Sequence, residues 1–277
     1  AAVAALARSF APPELADLAE LAGLVHDLGK ATPFFEKRLV DRQYQAAEAN
    51  HSYIGALFGA WVAEQRGLDA LVVFLAVARH HGALRSPWEL LPAPRDIDPP
   101  DFLDVARPGL RRTLRALPKQ LEAVRESWPV LCSALRLPDP SLFLDGAIWS
   151  TLRSLAEEAT QLNYLALSDL DDISSRHRYW VTNIVFSCLI DADKKLAAGY
   201  QPPQREYVPA DLVSRYLSSK DPSVSPLQPF RQQLFETVDR HVRTWPLAAL
   251  YPAQLTLTAP TGAGKTLAVF HAALTIR

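Results

Sequence analysis

Residues 21–39 read LAGLVHDLGKATPFFEKRL. An apolar run ends here in two adjacent polar side chains, His26 and Asp27, followed by Gly29 and Lys30. Packing requires neither His26 nor Asp27, and both side chains are competent metal ligands. Around them Leu15, Leu18, Leu21, Ala22, Val25 and Leu28 recur at helical spacing, which predicts a helix over residues 14–29. Working outward, the chain keeps returning to that pattern. Asn50 is a candidate N-cap for a helix through HSYIGALFGAWVAEQRG, which ends at Gly67. LDALVVFLAVARHHG is a third helix, with Gly82 as its C-terminal cap. Residues 86–108 are proline-rich and read as loop. GLRRTLRALPKQLEAVRESW returns to helix, with a break near Pro118, and further helices cover about 141–166 and about 172–198. The fold class is therefore mainly α.

The chain has 277 residues, enough for one large domain or for one domain and part of a second. At 49% hydrophobic residues, it can bury a substantial core. The formal net charge of −1 provides no global field for nucleic acid, so any such binding depends on a local patch. Two cysteines, Cys132 and Cys188, do not make a disulfide framework, and the expected compartment is the reducing cytoplasm. No apolar run reaches the roughly 18–20 residues of a membrane span, so no membrane association is expected. The opening AAVAALARSFAPPELADLAE reads as an amphipathic helix broken at Pro12 and Pro13, without the basic leader and cleavage site of a signal peptide. The chain contains no methionine, position 1 included, and stops soon after Thr266 inside what reads as another element. Either both ends are trimmed, or the methionines stand as a modified residue left out of the sequence, which would shorten the spacings.

Residues 201–228 carry prolines, serines and charges without clear periodicity, the composition of a linker. Beyond it QPFRQQLFETVDRHVRTW reads as a helix, and AQLTLTA alternates like a strand before running into PTGAGKT. The expected organisation is a helical domain over 1–200, a linker over 201–228, and over 229–277 the first strand and helix of a truncated α/β domain. APTGAGKT, residues 259–266, fits a Walker A phosphate loop except that Ala259 replaces the first glycine. In such a loop the backbone N–H groups from Gly262 through Gly264 to Lys265 cradle phosphates at a helix N-terminus, Lys265 reaches the β- and γ-phosphates, and Thr266 holds Mg²⁺. The expected ligands are ATP and Mg²⁺. Efficient ATP hydrolysis also needs an aspartate that orders Mg²⁺ and an arginine for the transferring phosphoryl group, both supplied by later parts of such a protein.

Five further ligand candidates accompany His26 and Asp27. His51 starts one predicted helix, His80 and His81 end the next, and Asp191 and Asp193 lie inside the apolar stretch VFSCLIDADKKLA. Imidazole and carboxylate donors without cysteine suit manganese, iron, cobalt, nickel or magnesium better than a structural zinc. Adjacent helical residues point about 100° apart, so His26 and Asp27 cannot grip one ion as an i, i+4 pair does. They can straddle two ions with the Asp27 carboxylate between them, which accounts for their adjacency. The same reasoning applies to the doubled His80-His81. Each histidine alone reads better as a surface or capping residue, His81 before Gly82 complementing a helix C-terminus, and only the set together points to a metal site. His177, His241 and His271 have no such company and read as structural. Between the two aspartates, Asp193 shares a face with Phe186, Leu189 and Ile190, whereas Asp191 shares one with Ile184, Ser187 and Cys188. Either face can point inward.

VHDLGKATPFF, NHSYIGA and ARHHG in this order resemble the HD-domain nuclease of the CRISPR-associated Cas-three helicase-nucleases of type I systems. FSCLIDADKKL resembles the later helix that carries that family's last aspartate, and TAPTGAGKT resembles motif I of superfamily-two helicases. The resemblance spans the chain, with residues 85–165 matching least. It implies an HD-superfamily helical bundle as the nuclease domain, followed by the first strand and P-loop of a truncated helicase domain. It implies metal ligation, by two divalent ions, at His26, Asp27, His51, His80, His81 and one of Asp191 and Asp193. The last aspartate of the family often follows an alanine, which favours Asp193 over Asp191. Asp27 would be the central catalytic residue, and Lys30 would assist a phosphate. Implied partners are single-stranded DNA and an RNA-guided CRISPR surveillance complex. One departure stands out. The family has a further histidine ligand in the helix before the HD pair, whereas residues 1–25 contain no histidine. That ligand lies upstream of Ala1, or the first metal site is incomplete. Two rivals stay open, an HD phosphohydrolase acting on small nucleotides and a degenerate HD module that docks a partner.

Overall fold

In the computed structural model the described residues are 1–41, 43–44, 46–97, 105, 107–168, 173–199, 208–220, 226–244 and 256–276. They fall in two compact units, Ala1–Tyr200 and Gln201–Arg277. All regular elements among them are helical. None of these helices is long and apolar enough to cross a membrane.

The first unit runs α1 (Ala2–Phe10), α2 (Ala16–Val25), α3 (Pro33–Val40), α4 (His51–Gln65), α5 (Ala70–Ala78), α6 (Pro87–Leu90), α7 (Pro108–Val124), α8 (Ser127–Ala134), α9 (Ile148–Ser168) and α10 (Ile173–Ala197). Its centre is the pair α4 and α5. Every residue of α4 from His51 to Ala63 is buried, as is every residue of α5 from Ala70 to Val77. A helix apolar all round has no solvent face, so its neighbours must surround it. Helices α2, α9 and α10 pack on this pair, with α1 lying against α2 and α10. An aromatic group of Phe58, Trp61, Trp128 and Phe143 closes the side towards α8, with the Phe58 ring 5.0 Å from that of Trp128 and 5.2 Å from that of Phe143.

Several sequence expectations are corrected. The helix expected over 14–29 is α2, which stops at Val25; His26 caps it, and Leu28–Lys30 form a separate 3₁₀ turn. α5 ends at Ala78, so Gly82 is not its cap, and His80 and His81 lie in the turn beyond the helix. α7 is not broken at Pro118. Proline removes one helical hydrogen bond, but Leu110, Leu114, Leu117 and Leu121 bury a continuous stripe that carries the helix through. The expected loop at 86–108 contains α6 and a 3₁₀ turn, Pro94–Asp96. The helix expected near 141 opens with a π-turn over Phe143–Ala147, where Gly146 takes φ 140°.

The second unit contains α11 (Leu212–Ser218), α12 (Gln228–Thr244) and α13 (Lys265–Ile276). α11 lies inside the expected linker, so that segment is not structureless. Of the expected strand, residues 253–255 lie outside the described residues, and 256–260 form no regular element. A strand exists only when a neighbour completes its ladder, and the described residues provide none.

Candidate metal centre

Local chain geometry sets Asp27 at the end of α2. It leaves the helix at φ −108°, ψ 4°, and the following 3₁₀ turn brings the backbone of Gly29 against the start of α4. A Cβ on Gly29 would stand 2.8 Å from the His51 Cα, well inside contact distance. Glycine at 29 therefore allows the approach that sets His51 beside Asp27. The indole of Trp128 donates to the Leu28 carbonyl at 3.1 Å and pins this turn from the core side. His51 begins α4, where the Asn50 side chain accepts from Ser52 N. Asp193 arrives from α10, one turn beyond the buried Leu189.

The side chains converge on Asp27. Its Oδ2 lies 3.3 Å from His26 Nε2, and its Oδ1 lies 3.5 Å from His51 Nε2 and 3.7 Å from His80 Nε2. His26 Nε2 is also 3.6 Å from Asp193 Oδ1, and His51 Nε2 is 2.9 Å from His81 Nε2. Two ligand groups result, Asp27 with His51, His80 and His81, and His26 with Asp27 and Asp193, and Asp27 belongs to both. His26 Nδ1 donates to the Gly23 carbonyl at 2.9 Å, and His80 Nδ1 donates to the Val77 carbonyl at 2.7 Å. Those carbonyls require a proton on Nδ1, which leaves Nε2 of a neutral ring as the lone-pair nitrogen facing the pocket.

This donor set fits divalent metal. His26 Nε2, His80 Nε2 and Asp27 Oδ1 are buried without a hydrogen-bond partner. Buried polar atoms are normally satisfied, and three such atoms aimed at one place form a ligand set in search of cations. The protonation states of Asp27, His51 and His81 agree. Burial pushes the Asp27 carboxyl up, but His26, His80 and Lys30 outweigh it and hold Asp27 well below the usual carboxylate range. Burial pushes His51 down to about 3, and burial with His80 and Lys30 nearby lowers His81. His26 is opposed by burial but raised overall, chiefly by Asp27. An ionised carboxylate and neutral imidazoles are the forms that bind metal.

The remaining calls sort by geometry. Lys30 donates from Nζ to Asp27 Oδ2 at 2.7 Å and lines the adjoining cleft. Asp191 is corrected: it points away from the cluster and pairs with Lys195 at 2.6 Å, because the two-residue step of helix between it and Asp193 rotates it off the inward face by about 200°. Gly262 and Gly264 take φ 81° and 86°, turning the loop into α13, which begins at Lys265 with Thr266 in its first turn. The Lys265 ammonium donates to the carbonyls of Ala259 and Pro260 within that loop. His271 is buried against Asp239 at 2.6 Å, in keeping with a structural role. Sequence reasoning missed Arg38 and Arg79, which line the cleft with Lys30, His51 and His81. The available signal was their position, Arg79 directly before His80-His81 and Arg38 inside the opening stretch.

Residues 1–121 match the model of the HD domain family. More particularly, the chain is 28% identical over 291 residues to the CRISPR-associated nuclease/helicase Cas3 of Haloferax volcanii, an alignment that covers 93% of this chain. The chain spans 28% of the length of that relative. The matched segment carries His26, Asp27, His51, His80 and His81, and the His/Asp cluster could hold a metal ion.

Proposed function

We propose that the first unit is a nuclease domain that hydrolyses phosphodiester bonds of single-stranded DNA using two divalent ions. The observation that carries this reading is the division of the Asp27 carboxylate, one oxygen towards His26 and the other towards His51 and His80. Bound divalent ions supply a lowered pKa for an attacking water and positive charge for the phosphate oxygens. The chain's own residues do the rest. His26 and His80 are oriented by carbonyls, Asp27 joins the two ligand groups, and Lys30 brings a cation to the mouth of the cleft where a scissile phosphate would lie. No side-chain nucleophile is required.

A small-nucleotide phosphohydrolase would enclose its substrate, whereas the cleft beside His51 and His81 is an open trough of about 510 Å³. The likeness to Cas3 supports the finer reading: a CRISPR interference nuclease, recruited in its full-length form by an RNA-guided surveillance complex. In that protein Gly262, Gly264, Lys265 and Thr266 would hold ATP and Mg²⁺ for a helicase that draws in the displaced strand. The expected divisions, 1–200 nuclease, 201–228 linker and 229–277 helicase start, belong to the same proposal. The test is cleavage of circular single-stranded DNA by the purified chain with Mn²⁺, Ni²⁺ or Co²⁺. Cutting should stop with chelator and be abolished in a folded Asp27→Ala variant. Full activity of that variant with metal present refutes the two-ion reading.

A further inference from the structure

The chain is close to neutral overall, yet its basic residues are not evenly spread. Among the described residues, the cleft beside His51 and His81 is lined by Lys30, Arg38 and Arg79 and by no carboxylate. A second groove, about 700 Å³, runs between α7 and the 3₁₀ turn Ala47–Ala49. Arg111, Arg112, Arg115 and Lys119 line it, with Glu48 as the lone carboxylate among the described residues of its lining. Seven Lys and Arg side chains gather in these two linings, Lys30 beside Asp27 and Lys119 beside Glu48, a local concentration of cations that the net charge conceals.

The two grooves lie on either side of one short turn. Ala47 and Glu48 wall the α7 groove, and Asn50 and His51 wall the cleft. Glu48 and His51 are three residues apart, at most about 11 Å along the chain. This connection is built firmly. The Gln120 side chain, 1% exposed, donates from α7 to the carbonyls of Glu48 and Asn50, both at 2.8 Å. The 3₁₀ turn also packs against α3, which carries Arg38. Meanwhile α7 places Leu114 and Leu117 in the core and leaves Arg112 and Arg115 exposed. Residues 111, 115 and 119 repeat at i, i+4 and i+8, a line along one face of α7. A linear arrangement of cations suits a linear polyanion better than a single anion.

We propose that the basic face of α7 is a track for the phosphodiester backbone of single-stranded DNA, delivering the strand over the 47–50 turn into the metal cleft. The proposal rests on the nuclease reading and deepens it, giving α7 a task that the metal centre itself does not require. Contacts of this kind are sequence-independent and release counterions, so the logarithm of the affinity falls with the logarithm of salt by about 0.7 for each phosphate neutralised on a single strand.

The experiment measures binding of labelled oligo-dT to the full chain across a salt series in chelator, separating binding from cleavage. One oligonucleotide is long enough to span both grooves, and one is short enough to fill the cleft alone. Arg112→Gln with Arg115→Gln should flatten the salt slope for the long strand by about 1.4. The short strand should bind the double variant as it binds wild type. Arg112→Lys with Arg115→Lys should retain the wild-type slope, and Arg66→Gln, at the far end of α4, should leave it unchanged. An unaltered long-strand slope in the double glutamine variant overturns the track and leaves the basic face to a protein partner. An equal loss for short and long strands overturns it too, since the arginines would then act on the cleft itself. The nuclease reading is checked separately on wild-type protein by Mn²⁺-dependent hydrolysis of bis(p-nitrophenyl) phosphate, so failure of one is distinguishable from failure of the other.

Discussion

Replacing Gly29 by alanine tests whether the close approach of the 3₁₀ turn to α4 assembles the metal centre. The added methyl would sit 2.8 Å from the His51 Cα and 2.8 Å from Ile54 Cγ2. Optimal carbon contacts lie at about 3.5–4.0 Å, so the α4 backbone must retreat by roughly 0.7 Å or more. Overpacking of this kind costs about 1–3 kcal/mol. For a unit of this size that is a fall of roughly 2–12 °C in the melting temperature. The consequence for metal is sharper. Ligand distances tolerate only about ±0.2 Å, and the retreat carries His51 away from Asp27. Gly29→Ala should therefore melt a few degrees lower by calorimetry and should lose most of its Mn²⁺ affinity by titration. Gly109→Ala is the control, because nothing lies within 4 Å of a Cβ at that position in α7. A Gly29→Ala protein with wild-type melting temperature and wild-type Mn²⁺ binding would show that the approach can relax without cost, and the role assigned to Gly29 would be wrong.

Three further outcomes are expected. Asp193→Ala should weaken Mn²⁺ binding severalfold, whereas Asp191→Ala should remove only the exposed pair with Lys195, about 0.3–0.5 kcal/mol by denaturant titration, with metal affinity intact. Trp128→Phe should destabilise the first unit by about 1–3 kcal/mol, because the buried Leu28 carbonyl loses its donor; an unchanged urea midpoint would dismiss that hydrogen bond as a brace of the turn. In chelator, the metal-free protein should lose stability as pH falls from about 6.5 to about 5. The sign follows from His51, held down to about 3 in the fold, and from His81, also lowered: the unfolded chain takes up protons there that the folded protein refuses. His26, which is raised, already contributes in full below its unfolded value and does not oppose the trend in this window. A urea midpoint that is flat or rises between pH 6.5 and pH 5 contradicts the burial assigned to His51.

The helical class, and the identity of the residues that meet, were legible because both are local properties of the chain. Caps and composition mark α4 and α5 as helices, and the unusual adjacency of His26 and Asp27 asks for a reason that packing does not supply. The choice between Asp191 and Asp193 was nearly legible, since two residues of helix, at about 100° each, set the two side chains about 200° apart. Which of the two faces points inward depends on what α10 packs against, and only the assembled bundle decides that. Helix ends escaped for a related reason. α2 stops at Val25, although its apolar pattern continues to Leu28, because Gly29 and Trp128 impose a tighter turn from 22 and 100 residues away along the chain, through His51 and Leu28. Pro118 looked like a break in one dimension and is carried by a buried leucine stripe in three. The basic residues of α7 and of the cleft are separate clusters in the sequence, and the neutral total conceals them. Only the fold, by clamping Gln120 onto the 47–50 turn, sets them in line, because charge along a chain becomes a field only when the chain's path brings like charges onto one surface.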